Sequence, residues 1–200
     1  DWDRSTSLNG RLLYGDFALQ GYLVSRKKGV PTGVFETLFN DGRTETLDEL
    51  AFVELLYERN LGPGKTLRVR NSLKHYNYRG GYAYEAFFSE KNVANWLTHE
   101  INYRWDLRAN HRLVAGVEYQ NQLRTYYRAQ DVDEVYFNSD IPRDIFSLFV
   151  QDEYQIRSDL SLTLGARFDR YQDLEDVVTP RGALVYHPLE TGTLKLLYGE

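Results

Sequence analysis

Apolar and polar residues alternate along most of the chain, and a period of two is typical of β-strands that bury one face. Between Ile145 and Arg157, Phe146, Leu148 and Val150 occupy one parity while polar side chains occupy the other. A Ser158-Asp159 turn follows, and the same alternation resumes from Leu160 to Asp169. This region is therefore predicted to form a hairpin of two long, half-apolar strands.

The same rule predicts about ten strands along the chain, joined as successive antiparallel hairpins. No segment shows apolar residues at helical spacing over three turns. The predicted strands are Ser7 to Tyr14, Phe17 to Arg26, Leu50 to Arg59, Thr66 to Tyr78, Asn92 to Trp105, 112–120, Ile145 to Arg157, Leu160 to Asp169, Arg181 to Tyr186 and Leu194 to Tyr198.

Short and long connections alternate between these strands. The short ones carry the Gly, Asp, Asn and Pro residues that tight turns require; they are Gly15-Asp16, 61–64, 106–110, Ser158-Asp159 and 188–192. The longer set comprises Lys27 to Thr46, Arg79 to Lys91, Arg128 to Asp144 and a shorter Gln172 to Val178. Outer-membrane barrels have short turns at one rim and longer loops at the other, so this segregation favours a transmembrane β-barrel.

The two faces of the predicted sheet differ in polarity. Charged and amide side chains such as Glu100, Arg104 and Gln120 are expected to share the face towards a wet lumen. Four polar residues fall on the opposite, lipid-facing parity and indicate interface positions, bulges or a register error: Asn71, Asn95, His99 and Asp152. Leu50 to Tyr57 is apolar on both parities, which leaves its facing open.

Composition narrows the class of protein further. No apolar run approaches the roughly 20 residues that a spanning helix needs, whereas a spanning strand needs only about 10. The net charge is −5 with both signs interspersed, so nucleic acid is not an expected partner. The chain has no cysteine and no methionine, and we interpret it as a mature or excised segment whose targeting sequence lies elsewhere. Its 16 tyrosines suit either strands or a membrane interface.

The last third of the chain carries specific motifs. Phe149-Val150-Gln151-Asp152-Glu153 is followed after a turn by Gly165-x-Arg167-x-Asp169, and then by Pro180-Arg181 and Leu197-Tyr198-Gly199. This succession, strongest over about the last 55 residues, resembles the barrel of TonB-dependent outer-membrane receptors. The resemblance implies an antiparallel up-and-down barrel of about 22 strands with a plugged lumen. Residues 1–200 would then be part of that barrel, with the plug domain and the C-terminal strands outside this sequence.

The resemblance also implies a function. Such receptors import a ferric siderophore, or a similar scarce ligand such as haem or cobalamin, across the outer membrane of Gram-negative bacteria. Their partners would be outer-membrane lipid, the ligand and the TonB complex, which is contacted through the plug and N-terminal segment. No covalent chemistry, cofactor or metal site is expected.

Candidate ligand-binding residues come from one loop and from the lumenal charges. The predicted loop supplies Tyr82, Tyr84, Phe87 and Phe88, whose rings suit an aromatic siderophore or haem, although packing against neighbouring loops or anchoring of the rim is the simpler explanation. Arg112, Arg124 and Arg167 are predicted to face the lumen, where they would guide an anionic complex. Pairing with Glu118, Glu153 or Asp169 is the simpler expectation for these arginines, because charges in a barrel wall need partners.

Two other classes of protein stay open at this stage. A soluble all-β binding or structural domain would show the same alternation, with its apolar face forming a core. An outer-membrane hydrolase would need a serine beside a histidine and an acid, and Ser89 and His99 are the nearest approximation.

Overall fold

The computed structural model describes residues 1–200 and contains eleven β-strands, with one 3₁₀ turn at Val34–Glu36. The strands are β1 (Trp2–Tyr14), β2 (Phe17–Gly29), β3 (Glu45–Gly62), β4 (Lys65–Ala83), β5 (Phe87–Arg108), β6 (His111–Gln130), β7 (Val135–Asp140), β8 (Arg143–Arg157), β9 (Leu160–Tyr171), β10 (Val177–Leu189) and β11 (Gly192–Gly199). No helix has the length and apolar character needed to cross a membrane.

All strands belong to one antiparallel sheet in the order β1-β2-β3-β4-β5-β6-β8-β9-β10-β11. The short β7 is an offshoot that pairs only with the last residues of β6. Each strand of the main path therefore lies beside its neighbours in sequence, which is the up-and-down arrangement that the alternating pattern predicts. The ten predicted strands all occur, and the structure adds β7 inside the connection predicted for 128–144.

The connections divide the sheet into two rims. The turn rim carries five two-residue turns: 15–16, 63–64, 109–110, 158–159 and 190–191. The loop rim carries the connections 30–44, 84–86, 131–142 and 172–176. One predicted long loop, Arg79 to Lys91, is wrong. Arg79 pairs with Lys91 and the ladder continues to the Ala83–Phe87 pair, because both strands stay extended through Gly80 and Gly81.

Very little of the chain is buried between its own elements. Only 14 of 200 residues are buried, and many large apolar side chains on one face are exposed, including Leu12, Leu55 and Leu148. In a soluble domain, such an apolar face would pack against a second layer of secondary structure. This sheet has no second layer. We call this apolar side the outer face and the opposite, polar side the inner face.

The longest strands exceed what a bilayer requires. β5 has 22 residues, which at about 3.3 Å per residue spans roughly 70 Å, against an apolar band of about 25 Å in such barrels. The loop-rim ends of β4, β5 and β6 therefore project well beyond the band. This projection is what places the site described below.

A β-bulge interrupts β6 and changes which way its last residues face. Asn95 pairs with Arg124 while the next residue, Trp96, pairs with Gln122, so Leu123 is the extra residue. An inserted residue reverses the alternation beyond it. The predicted lumenal position of Arg124 is consequently wrong: it shares the outer face with Asn95 and forms an ion pair with Asp140 at 3.2 Å.

The polar residues on the outer face are matched across strands. Asn71 lies directly opposite His99, and Asn71 Oδ1 is 2.6 Å from His99 Nδ1. Asn95 lies opposite His75 in the same way, with its Oδ1 2.5 Å from the His75 ring nitrogen. Near the turn rim, Asp152 contacts His111 Nε2 at 2.6 Å. Pairing explains these positions without a register error, and only Asn95 coincides with a bulge.

Candidate ligand-binding rim

Three separate segments of the loop rim enclose an open cleft of about 720 Å³. The tip of the β4–β5 hairpin contributes Tyr84, Glu85, Ala86 and Phe88; the 30–44 connection contributes Glu36 and Leu38; the β6–β7 connection and β7 contribute Asp131 and Tyr136. We call this the rim cleft. It has the size of an ordinary small-molecule site and combines apolar walls with a few polar groups.

Aromatic rings form a continuous layer through the rim cleft. Phe88 lies at its centre, with ring centroids 6.4 Å from Tyr84 and 6.0 Å from Tyr136. Tyr82 lies beneath, 6.1 Å from Phe88 and 6.0 Å from Phe35 in an edge-on contact. Tilted and edge-on pairs at these distances are favourable and hold one another in place. Rings that are fixed before binding lose little entropy when a ligand stacks on them.

The 30–44 connection is held against the hairpin in a strained conformation. Phe35 and Glu36 have φ of 55° and 64°, in the left-handed region that costs non-glycine residues about 1–2 kcal/mol each. The Tyr84 hydroxyl donates to the Phe35 carbonyl at 3.0 Å, and the Leu38 amide donates to the Ala83 carbonyl at 2.7 Å. These contacts compensate the strain, and strain of this kind clusters at ligand-binding segments.

Carboxylates give the rim cleft a negative mouth. Glu36, Glu85 and Asp131 are among its lining residues. The Tyr136 hydroxyl donates to Asp131 Oδ2, and backbone amides of Asp133 and Glu134 donate to Oδ1 at 2.8 and 2.7 Å. These donors, the Tyr136 hydroxyl first, lower the pKa of Asp131 below its ordinary value. Asp131 therefore stays ionised and fixes Tyr136 in the cleft wall.

The structure separates the four aromatic residues selected from the sequence. Tyr84 and Phe88 line the rim cleft. Tyr82 is buried, and its hydroxyl lies 2.6 Å from that of Tyr78 and donates to Glu90. Phe87, the residue before Phe88, lies on the opposite side of the strand, where its ring covers the outer side of Gly81. Successive side chains of β5 point to opposite faces of the sheet, which explains why these adjacent phenylalanines lie on different sides.

Arg167 is the centre of an inner-face network. It donates to Glu118 at 2.9 Å, to Asp169 at 2.8 Å and to the Ser147 hydroxyl at 2.8 Å. Ser147 also donates to Asp169 and is fully buried. Glu118 lies on β6, Ser147 on β8, and Arg167 and Asp169 on β9, so the network joins three adjacent strands. The expected pairing of Arg167 with Glu118 and Asp169 is thus present.

Arg112 is also paired, at the far end of the sheet. It donates to Asp106 at 2.7 Å and to Glu153 at 3.4 Å, beside the 109–110 turn. Arg112 consequently lies at the turn rim, opposite the rim cleft. The seven residues selected from the sequence do not form one site, since two line the cleft and two lie in inner-face ion-pair networks.

Sequence reasoning missed several residues that the structure brings together. Phe35, Leu38 and Tyr136 come from segments about 50 residues on either side of the hairpin, and no local pattern connects them. A second inner-face network was also missed: Arg70 pairs with Glu100 and lies 3.7 Å from Glu54. Its signal was present, because Arg70 and Glu100 alternate onto the predicted lumenal face of adjacent strands.

The hydrolase alternative has no geometric support. Ser89 and His99 stand ten residues apart on the same strand, which separates them by about 33 Å. Ser89 donates to the Gln130 carbonyl, and His99 contacts Asn71. A nucleophile and its base must lie within hydrogen-bonding reach, so these two residues cannot act together.

Comparison with known proteins assigns the class. The family model described as "TonB dependent receptor-like, beta-barrel" matches residues 1–200, and the chain belongs to this family. Members are outer-membrane transport receptors of Gram-negative bacteria, not enzymes. No curated protein matches the sequence.

Solved structures agree on the fold. The ferric enterobactin receptor PfeA of Pseudomonas aeruginosa superposes with a TM-score of 0.70 at 17% identity, over 98% of this chain and 33% of that one. The ferric-catecholate import receptor Fiu of E. coli K12 gives 0.71 at 12% identity, over 99% and 52%. The siderophore receptor PirA of Acinetobacter baumannii gives 0.65 at 11% identity, over 96% and 32%. The chain thus spans about a third to a half of the receptors that it matches.

Proposed function

We propose that this chain forms part of the wall and outer rim of an outer-membrane receptor that takes up a ferric siderophore or a similar scarce ligand, such as haem or cobalamin. The rim cleft is the observation that carries the proposal. Its fixed aromatic layer of Tyr84, Phe88 and Tyr136 offers a stacking surface where the longest strands project furthest outward.

Family membership and the matched siderophore receptors support the ligand class. In the proposed complete protein, residues 1–200 are one part of a barrel whose remaining strands and plug lie elsewhere in the sequence. TonB, engaged through the plug, would drive the passage of the ligand, and the surrounding partner would be outer-membrane lipid. The Glu36, Glu85 and Asp131 carboxylates favour a ligand whose exposed surface is neutral or positive.

The lumenal arginines have a supporting role in this proposal. Arg112 and Arg167 already have carboxylate partners at 3.4 Å or less. Removing such a partner would leave a charge uncompensated. We therefore assign these arginines to the rigidity of the wall and place first ligand contact on Tyr84 and Phe88.

Adjacent phenylalanines provide a matched test. The full-length gene is deleted, and the strain is complemented with the wild-type, Phe88→Ala or Phe87→Ala receptor and supplied with single iron sources. Phe88→Ala should weaken uptake of the transported chelate about fivefold or more, because stacking on an aromatic ring contributes about 1–3 kcal/mol. Phe87→Ala removes the same side chain from the opposite face and should leave uptake unchanged.

Two results would contradict this proposal. Equal uptake by both variants would remove the rim cleft from ligand binding. Normal growth of the deletion strain on every iron chelate, haem and cobalamin source would contradict the transport function itself. Surface levels of each variant are checked by heat-modifiable mobility on gels, so that a folding defect is not read as a binding defect.

A further inference from the structure

A row of cations crosses the outer face near the loop rim. Arg4 pairs in register with Lys27, Lys27 with Leu47, Leu47 with Arg79, Arg79 with Lys91, and Lys91 with Arg128. Five of the six positions in this cross-strand row are therefore Arg or Lys. We call the five cations Arg4, Lys27, Arg79, Lys91 and Arg128 the cationic ladder.

The ladder differs from several charged positions on the inner face. There, Arg68 faces Glu58, Arg70 faces Glu100 and Arg112 faces Glu153 directly across a strand pair. Arg79, Lys91 and Arg128 instead face one another on three neighbouring strands, and like charges directly opposite are destabilising. None of these three side chains has a salt-bridge partner, and of the five only Lys27 is paired, with Glu45 at 2.8 Å.

Local geometry shows that the ladder has unused binding capacity. Arg128 Nε is buried and has no hydrogen-bond partner. Two open clefts of about 300 and 320 Å³ flank Arg79, one containing Lys27 and Arg43, the other Lys91 and Arg128. The nearby Glu90 does not neutralise them, because its carboxylate accepts hydrogen bonds from Tyr82 and Tyr127 on the inner face.

Position relative to the apolar band identifies the medium that the ladder meets. Arg4 stands four residues beyond Leu8 and Lys27 four beyond Leu23, the last large aliphatic residues of their strands on this face; Trp2, an aromatic residue of the kind found at membrane interfaces, lies two residues farther out than Arg4. Four residues span about 13 Å along a strand, or roughly 10 Å along the membrane normal at a tilt of about 40°. Headgroup layers are about 5–8 Å thick, and long cationic side chains bend towards such a layer.

We infer that the cationic ladder binds the phosphate groups of anionic lipids in the outer leaflet around the barrel. Phosphates are multivalent acceptors that Arg and Lys recognise through charge-assisted hydrogen bonds. One phosphate between two strands would convert the Arg79–Lys91–Arg128 repulsion into shared contacts. The inference relies on the proposed membrane location but not on the identity of the transported ligand, since the ladder and the rim cleft share no residue.

Native mass spectrometry of the full-length receptor in detergent tests the inference, with doubly phosphorylated lipid A as the probe. The wild type should retain the lipid, and Arg79→Gln/Lys91→Gln should bind it about tenfold more weakly, as expected when two charged contacts to phosphate are lost. Arg79→Lys/Lys91→Arg keeps both charges and should restore binding. Lys74→Gln removes an inner-face cation of β4 and should bind like the wild type.

Three outcomes would overturn the inference. The first is unchanged lipid binding by Arg79→Gln/Lys91→Gln. The second is equal binding of lipid A from which both phosphates have been removed. The third is competition by inorganic phosphate at the concentration of the lipid, which would indicate a general anion site rather than a lipid site. Uptake assays on the same variants separate this inference from the proposed transport, because loss of lipid binding with normal uptake leaves the receptor function intact.

Discussion

Replacing Arg167 by Met is the most informative perturbation of the barrel wall. The side chain holds Glu118, Asp169 and Ser147 together with four hydrogen bonds of 2.8–3.1 Å. Met retains the apolar stem but leaves the Glu118 and Asp169 carboxylates without their cation. Asp169 is only 12% exposed and Glu118 21%, so water compensates this loss incompletely.

The magnitude lies between two limits. Breaking a fully buried ion pair costs about 3–5 kcal/mol, whereas an exposed pair contributes about 0–1 kcal/mol. Arg167 is itself 38% exposed, which moves the value below the buried limit. We expect Arg167→Met to lower the free energy of unfolding by about 2–3 kcal/mol. Arg157→Met loses an exposed 3.2 Å contact with Asp159 and a 5.9 Å cation–π contact with Tyr186, and should cost about 1 kcal/mol or less.

Denaturant unfolding of the full-length receptor in detergent, followed by tryptophan fluorescence, measures both variants. A double-mutant cycle with Asp169→Asn isolates the pair, and the second substitution should recover part of the loss caused by the first. The reasoning is refuted if Arg167→Met and Arg157→Met cost the same, or if the cycle shows no coupling. Either result would mean that the inner-face network is solvated like an ordinary surface.

Three further predictions concern packing, facing and pH. Gly116→Ala should destabilise the barrel by about 1–3 kcal/mol, because the new methyl group would collide with Phe149 and Asn102. Gly10→Ala places its methyl group in open space and should be neutral. Denaturant unfolding compares the two variants. The chain has no cysteine, so a single cysteine introduced as Val150→Cys or Gln151→Cys can be labelled in membranes. A water-soluble maleimide should modify Gln151→Cys, whereas only an apolar reagent should reach Val150→Cys. Equal reaction of both variants with the water-soluble reagent would contradict the assignment of faces. Hydrogen bonds from the Arg43 side chain and backbone lower the pKa of Asp41 from 3.8 to about 2. The ionised Asp41 carboxylate therefore stabilises the 30–44 connection fully well above pH 4, and this stabilisation is lost as the pH falls through about 2. Hydrogen exchange in 30–44, corrected for intrinsic rates, should therefore rise between pH 4 and pH 2 in the wild type, and Asp41→Asn should show the faster exchange at both pH values.

Strand facing was largely predictable from the sequence because it depends on a local period of two. Val150 and Gln151 could be assigned to opposite faces from their parity alone, and the register of β8 with β9 agrees. The same parity rule assigned Arg124 to the wrong face. Its facing depends on the bulge at Leu123, which is defined only by how β6 pairs with Asn95 and Trp96 on β5. A parity argument has no information about the partner strand.

The ligand-binding rim was predictable only in part. Alternating apolar residues and rings drew attention to Tyr84 and Phe88, but the same reasoning included Phe87 and treated the whole of 79–91 as a loop. Continued pairing of Arg79 with Lys91 makes that segment the end of a hairpin. Phe87 and Phe88 are adjacent on its second strand, so their rings lie on opposite faces.

The sequence by itself determined that this protein is an antiparallel sheet with one apolar and one polar face, because alternation and turn residues act over a few neighbouring positions. It also carried the family motifs of its last third. Only the tertiary structure decided which distant segments meet: the rim cleft joins Leu38, Phe88 and Tyr136, and the cationic ladder joins residues from Arg4 to Arg128. Cross-strand register decides these contacts, and register is a property of strand pairs rather than of any one strand.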